Sequence, residues 1–354
     1  AFGGVYVFTR LLGADEYGRY ALMFSVMTLV HMLSLTAAEA AAFRLACEAE
    51  ANKSQAEQIR STLALTYRSM IVAAALIGAL AILFQKLPEY LEILPWIALL
   101  IPINSLIQMA LESHRAGERV GRYALISTTR ILGGFLLGAL IAWQTGFGAA
   151  SPFIGLTIAG VFWAISETRW LVRQAKGGQT DPGRRRAYLI YGAPIAAALV
   201  LDLILSAADR FLIVAFLGEA AVGEYAAGYG VADKSILLIG EAVRDGAREI
   251  IPWIAFAGLL NCLIIHYYSE VFNLTHRTGE LALLMLLPAL SNIGLNLILI
   301  PQFELLGAVI ATLASYALGL AVLAARGHRL IALPLPLADL VKTGLAAASM
   351  APVL

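Results

Sequence analysis

The sequence predicts an all-α polytopic membrane protein, and three observations lead there. The chain has 354 residues, of which 60% are hydrophobic and only 14% charged, with a mean hydropathy of +0.79. A soluble domain carries about 25% charged residues. Apolar runs of about 20 residues, the length that crosses a bilayer as a helix, recur along the whole chain. The short polar loops between them alternate between rich and poor in Lys and Arg. These runs are continuous Leu, Ala, Ile and Gly, without the alternation of a transmembrane barrel. In hydrocarbon every backbone N–H and C=O must be satisfied within the segment, so the runs are helices.

Spans are expected near 20–43, 62–84, 91–111, 123–144, 149–168, 187–209, 225–243, 249–270, 281–300 and 305–325. A partial one is expected at 1–12. That opening run is too short to cross alone and residue 1 is not Met, so the first helix is expected to be truncated. Positive charge marks the cytoplasmic loops. Arg44, Lys53 and Arg60 follow the second span, and Arg115, Arg119 and Arg122 follow the fourth. Arg169, Arg173, Lys176 and Arg184 to Arg186 follow the sixth. Between these groups, 85–91 holds only Lys86, and 143–152, 216–225 and 302–304 hold neither Lys nor Arg. This pattern puts the N-terminus in the cytoplasm. The polar stretch GGQTDPGRRR, Gly177 to Arg186, reads as a linker and topology anchor between two halves.

The halves repeat. LGADEYGRY (Leu12 to Tyr20) matches LGEAAVGEY (Leu217 to Tyr225) in the pattern LGxxxxGxY. PWIA occurs at Pro95 and again at Pro252, with Asn104 and Asn261 at the same distance beyond. HRAGE (His114 to Glu118) is followed in the second half by HRTGE (His276 to Glu280). Repeats of this order describe a duplicated transporter-like bundle. Tyr20 to Pro95 is 75 positions, whereas Tyr225 to Pro252 is only 27. The second half therefore lacks about one helix and a loop, and the gap is expected near 244–248.

The chemistry lies in charges placed within spans. Such residues face a partner or a cavity, because an unpaired charge in hydrocarbon is costly. Arg130 and Asp202 sit deepest, while Arg44 and Arg68 can snorkel to headgroups. Pro102, Pro194 and Pro288 lie within spans, where the missing backbone donor favours a kink. No Walker loop, dinucleotide fingerprint or HExxH motif is present, and Cys47 and Cys262 form no disulfide framework. An enzyme is therefore not expected, nor a cofactor, a resident metal or a nucleic-acid partner.

TRLLGADEYGRYAL (Thr9 to Leu22), Tyr191 to Lys234 and Ser291 to Leu320 resemble the polysaccharide biosynthesis flippases. These are Wzx-type members of the multidrug/oligosaccharidyl-lipid/polysaccharide superfamily. The resemblance covers most of the chain. It implies two pseudo-symmetric six-helix lobes: an N-terminal lobe at 1–172, a basic cytoplasmic linker at 173–186 and a C-terminal lobe at 187–330. An extra C-terminal helix would begin within 331–354. The implied activity is transfer of a polyprenyl-diphosphate-linked oligosaccharide across the bacterial inner membrane, with membrane lipids and polysaccharide polymerases as partners. Arg10, Arg130 and Arg210 are the expected contacts to the anionic headgroup, since guanidinium binds phosphate through charge-assisted bonds. Asp202 and Asp233 are candidates for coupling to H⁺ or Na⁺. A multidrug antiporter on the same plan would favour a cavity lined mainly by carboxylates. A non-transporting scaffold would show a closed, well-packed interior.

Overall fold

The computed structural model describes residues 2–52, 54–180, 182–234, 245–275 and 277–331. These residues are almost entirely helical. In chain order the elements are α1 (Phe2–Ser34), α2 (Thr36–Ala51), α3 (Gln55–Leu83), the short α4 (Pro88–Leu91), α5 (Leu94–Ala116) and α6 (Val120–Gln144). A 3₁₀ turn (Gly148–Ala150) leads into α7 (Ser151–Gln174), α8 (Pro182–Leu217), α9 (Glu219–Lys234) and α10 (Asp245–Leu263). A π-helical turn (Ile264–Tyr268) precedes α11 (Ser269–Leu274) and α12 (Thr278–Gly327). Among the described residues, six helices are long and apolar enough to cross a membrane. Their outer faces fit that role: Ile131, Leu132, Leu136 and Trp143 of α6 are each more than half exposed. A soluble helix buries such residues, whereas lipid accommodates them.

Helix α12 has 50 residues. Straight, it would be about 75 Å long at 1.5 Å per residue, against a hydrocarbon core of about 30 Å. It is not straight. Glu304 has φ 52° and ψ −130°, and the bend brings the Gly307 position to face the carbonyl of Leu299. The break falls between the two spans expected at 281–300 and 305–325. Pro102, Pro194 and Pro288 lie inside α5, α8 and α12. Of the segment 244–248, near which a helix is expected to be missing, residue 244 lies outside the described residues and 245–248 begin α10.

The chain forms two compact units, one of residues 19–200 and the other of residues 1–18 with 201–354. The first unit is built on close helix approach. A Cβ on Gly155 of α7 would lie 2.3 Å from the backbone N of Gly138 and 2.5 Å from the carbonyl O of Gly134 on α6. This is small-residue packing, which substitutes for the hydrophobic effect in lipid. A buried ion network ties α5, α6 and α7 together. Glu167 is fully buried, contacts His114 Nε2 through Oε2 at 2.7 Å and accepts from Arg122 through Oε1. Trp170 packs on the His114 ring and under Arg119, and Trp163 lies under Arg122. The expected basic linker is divided among the end of α7, a turn with Gly177 at φ 86° and the first turn of α8.

The second unit has its core at Ile213, Val222, Tyr225, Ile254, Ile300 and Val309. It also contains both copies of LGxxxxGxY, and they share one geometry. Gly13 has φ +74° and Gly218 φ +87°, a left-handed conformation that only glycine adopts without penalty. Each starts a new helical direction after its leucine. The second glycines then meet the opposite copy: a Cβ on Gly18 would lie 2.0 Å from the Glu219 carbonyl O, and one on Gly223 2.0 Å from the Ala14 carbonyl O. The HRxGE pair does not share a conformation. HRAGE closes α5, with Glu118 at φ 54°, whereas Thr278, Gly279 and Glu280 of HRTGE open α12.

Candidate substrate cavity and its surroundings

One face of α5 is polar. Asn104, Gln108, Glu112 and Arg115 follow one another at helical spacing, which places them in a single stripe. That stripe lines a cavity of about 460 Å³ in the unit of residues 19–200. The size is within the range of small-molecule sites. The opposite walls come from Met27, Thr28, His31 and Met32 of α1, Thr36, Glu39 and Ala40 of α2, Arg130 of α6 and Leu199 of α8. The methionines and Ile101 supply adaptable apolar surface, and the charged groups supply orientation.

The polar groups are ordered in pairs. Arg130 Nη1 donates to Asn104 Oδ1 at 2.9 Å. Gln108 Nε2 donates to Glu112 Oε1 at 2.7 Å, and Arg115 Nη1 lies 3.7 Å from Glu112 Oε2. His31 Nε2 is 3.0 Å from Glu39 Oε2. Two carboxylate oxygens remain buried without a hydrogen-bond partner, Glu39 Oε1 and Glu112 Oε2. The lining thus holds two arginines, a histidine and two glutamates. It is not the carboxylate-dominated wall that a cationic cargo would favour.

Of the expected site residues, Arg130 lines this cavity. Arg10 and Arg210 belong to the other unit. The exposed Arg10 guanidinium lies over the Tyr6 ring one turn earlier, 4.4 Å from its centroid. Arg210 lies over Tyr229 at 5.4 Å, and its backbone N–H donates to Asp209 Oδ1 at 2.7 Å. Asp202, in the same helix α8, has Oδ1 buried without a hydrogen-bond partner. Asp233 is near the end of α9, and its side chain lies outside the described residues.

Asp209, next to Arg210 in α8, is a fully buried carboxylate. Tyr225, the last residue of the repeated motif, donates to its Oδ2. Thr312 Oγ1 donates to the same oxygen at 3.4 Å. Beside it Tyr229 and Tyr316 join hydroxyl to hydroxyl at 3.3 Å. Glu112 lies one position beyond the fourth expected span, which closes at residue 111. The spacing of Asn104, Gln108, Glu112 and Arg115 was the available signal.

Helical composition, repeated glycine breaks and a cavity with charged groups on its wall describe a polytopic helical membrane fold. A MATE protein solved in complex with Br-NRF has the same architecture: TM-score 0.54, 14% identity, with 93% of this chain and 94% of that chain covered. The model of the family described as polysaccharide biosynthesis protein matches residues 7–246, and the chain belongs to that family. No curated protein sequence matches it.

Proposed function

We propose that this protein moves a polyprenyl-diphosphate-linked oligosaccharide from the cytoplasmic to the periplasmic leaflet of the bacterial inner membrane during surface polysaccharide assembly. Lipopolysaccharide and exopolysaccharide are the product classes this covers. The observation that supports the reading most is Arg130, a guanidinium held by Asn104 on the wall of a cavity inside an apolar helical unit. An arginine at membrane depth needs a compensating ligand or partner, and its planar donor fork matches a diphosphate. Arg10 and Arg210 offer the same chemistry in the other unit.

The alternating charge of the loops supports a cytoplasmic N-terminus. In this reading the repeats at 1–172 and 187–330 act as the two lobes, 173–186 joins them on the cytoplasmic side and 331–354 begins a further helix. Asp202 is the carboxylate best suited to take up H⁺ or Na⁺, since its Oδ1 is buried without a donor; Asp233 is the second candidate. A ligand that binds one conformation better than another shifts the equilibrium by that difference, which is how such a site would drive the cycle. Membrane lipids flank the cargo's tail, and a polymerase receives the glycan on the far side.

The test is reconstitution into vesicles with a labelled polyprenyl-diphosphate oligosaccharide, following the fraction reaching the opposite leaflet. Protein-dependent transfer that Arg130→Ala abolishes is the expected result. Absence of any protein-dependent transfer would overturn the proposal.

A further inference from the structure

The cavity contains acceptors that a diphosphate cannot use. Glu112 is 9% exposed; its Oε2 has the charge of Arg115 Nη1 3.7 Å away but no hydrogen-bond partner. Glu39 Oε1, on the facing helix, is also buried without a hydrogen-bond partner. Each carboxylate is fixed through its other oxygen, Glu112 by Gln108 and Glu39 by His31. The two oxygens that lack a hydrogen bond are therefore held in place rather than left to turn away. A buried acceptor without a donor is unfavourable, and phosphate oxygens would repel it. Hydroxyl or amide N–H groups would satisfy it. Arg130, on the same cavity, offers the donors that a phosphate needs.

We propose that Glu39 and Glu112 are the specificity-determining acceptors for the sugar attached to the diphosphate. They take hydroxyl or N–H donors from two positions of its ring, while Arg130 takes the phosphate end. This rests on the flippase reading and adds which side chains of the cavity read the sugar next to the diphosphate. Sites built to bond a hydroxyl discriminate strongly against analogues that lack it, because the site's own buried group is left unpaired.

The experiment measures binding to the purified full chain in detergent. The probes are farnesyl diphosphate and farnesyl diphosphates bearing glucose, galactose or N-acetylglucosamine. At least one sugar-bearing compound should bind at least about tenfold more tightly than farnesyl diphosphate, since a single charge-assisted hydrogen bond at the low end of its range already gives that factor. Single deoxygenation of that sugar should remove most of the preference at two ring positions, in the unaltered protein. Glu39→Gln with Glu112→Gln should shrink the preference to under about threefold, the loss of charge assistance, read as the ratio of sugar-bearing compound to farnesyl diphosphate binding in that same variant. The inference is overturned if no sugar improves binding, if deoxygenation has no effect at any ring position, or if the double variant keeps the full preference. Failure of the underlying flippase reading has a different signature: neither the sugar-bearing compounds nor farnesyl diphosphate binds.

Discussion

Gly18 and Gly223 offer the most direct physical perturbation. Alanine at either position puts a methyl 2.0 Å from a backbone carbonyl oxygen of the opposite motif copy. Ordinary contact needs roughly 3.5 Å, so the two segments must part by more than an ångström. The obstructing atom is main chain and cannot rotate away. Overpacking of this kind costs about 1–3 kcal/mol, from which the usual gain of about 0.5–1 kcal/mol for Ala over Gly in a helix is subtracted. The net expectation is a loss of up to about 2.5 kcal/mol for each single variant, about 1 kcal/mol at mid-range. Gly258→Ala in α10 is the control, since a Cβ there meets nothing within 4 Å; it should be neutral or slightly stabilising. The two motif variants disturb one junction, so the double variant should lose less than the sum, by about 0.5 kcal/mol or more. Denaturant unfolding in mixed micelles, followed by tryptophan fluorescence, measures all four proteins. If Gly18→Ala unfolds like Gly258→Ala, or if the double variant is additive, the close approach does not exist as described.

Other expectations concern the polar groups. Asn104→Ala removes the acceptor that orients Arg130 and should lower leaflet transfer several-fold with little change in the unfolding midpoint, because Arg130 can then turn; transfer assays beside denaturation curves separate the two. Glu167→Ala leaves the His114 and Arg122 network without its shared carboxylate and should cost about 3 kcal/mol, the scale for breaking a buried ion pair, read in the same micelle unfolding. Tyr225→Phe deprives the buried Asp209 of its hydroxyl donor and should cost about 1–3 kcal/mol. Asp202→Asn, by contrast, should unfold like the unaltered protein while making transfer insensitive to an imposed H⁺ or Na⁺ gradient. Retained gradient dependence in that variant would remove Asp202 from the coupling scheme.

Much of the fold could be read in the sequence because bilayer physics acts on composition and period. The span at 123–144 falls within α6, those at 62–84 and 149–168 overrun α3 and α7 by no more than two residues, and the break between 281–300 and 305–325 falls at Glu304. Arg130 stood out for the same reason: an arginine amid Leu, Ile and Gly contradicts its surroundings unless a cavity receives it. Glu112 and Glu167 did not stand out, since both sit near span ends where a charge has an ordinary explanation in headgroup contact. Helical spacing pairs Glu112 with Gln108, but only the tertiary arrangement shows that this stripe faces a cavity and that Glu167 is enclosed by α5 and α6. The glycines were visible as a repeat, but spacing along the chain says nothing about which carbonyl lies opposite. That Gly18 and Gly223 are each other's counterparts in space depends on the chain turning at Gly13 and Gly218.

The meeting of those motifs is reciprocal: the fourth residue before each second glycine, Ala14 or Glu219, presents its carbonyl to the glycine of the other copy. This is the geometry of an isologous interface, in which patch i touches j and j touches i. A pair of half-length chains related by a two-fold axis would make the same junction from two copies of one sequence. Fusing the halves into one polypeptide preserves the junction but frees each copy to diverge everywhere else, as ADEY and EAAV between the glycines already do. The motif thus makes within one chain the kind of reciprocal contact that a two-fold axis makes between two.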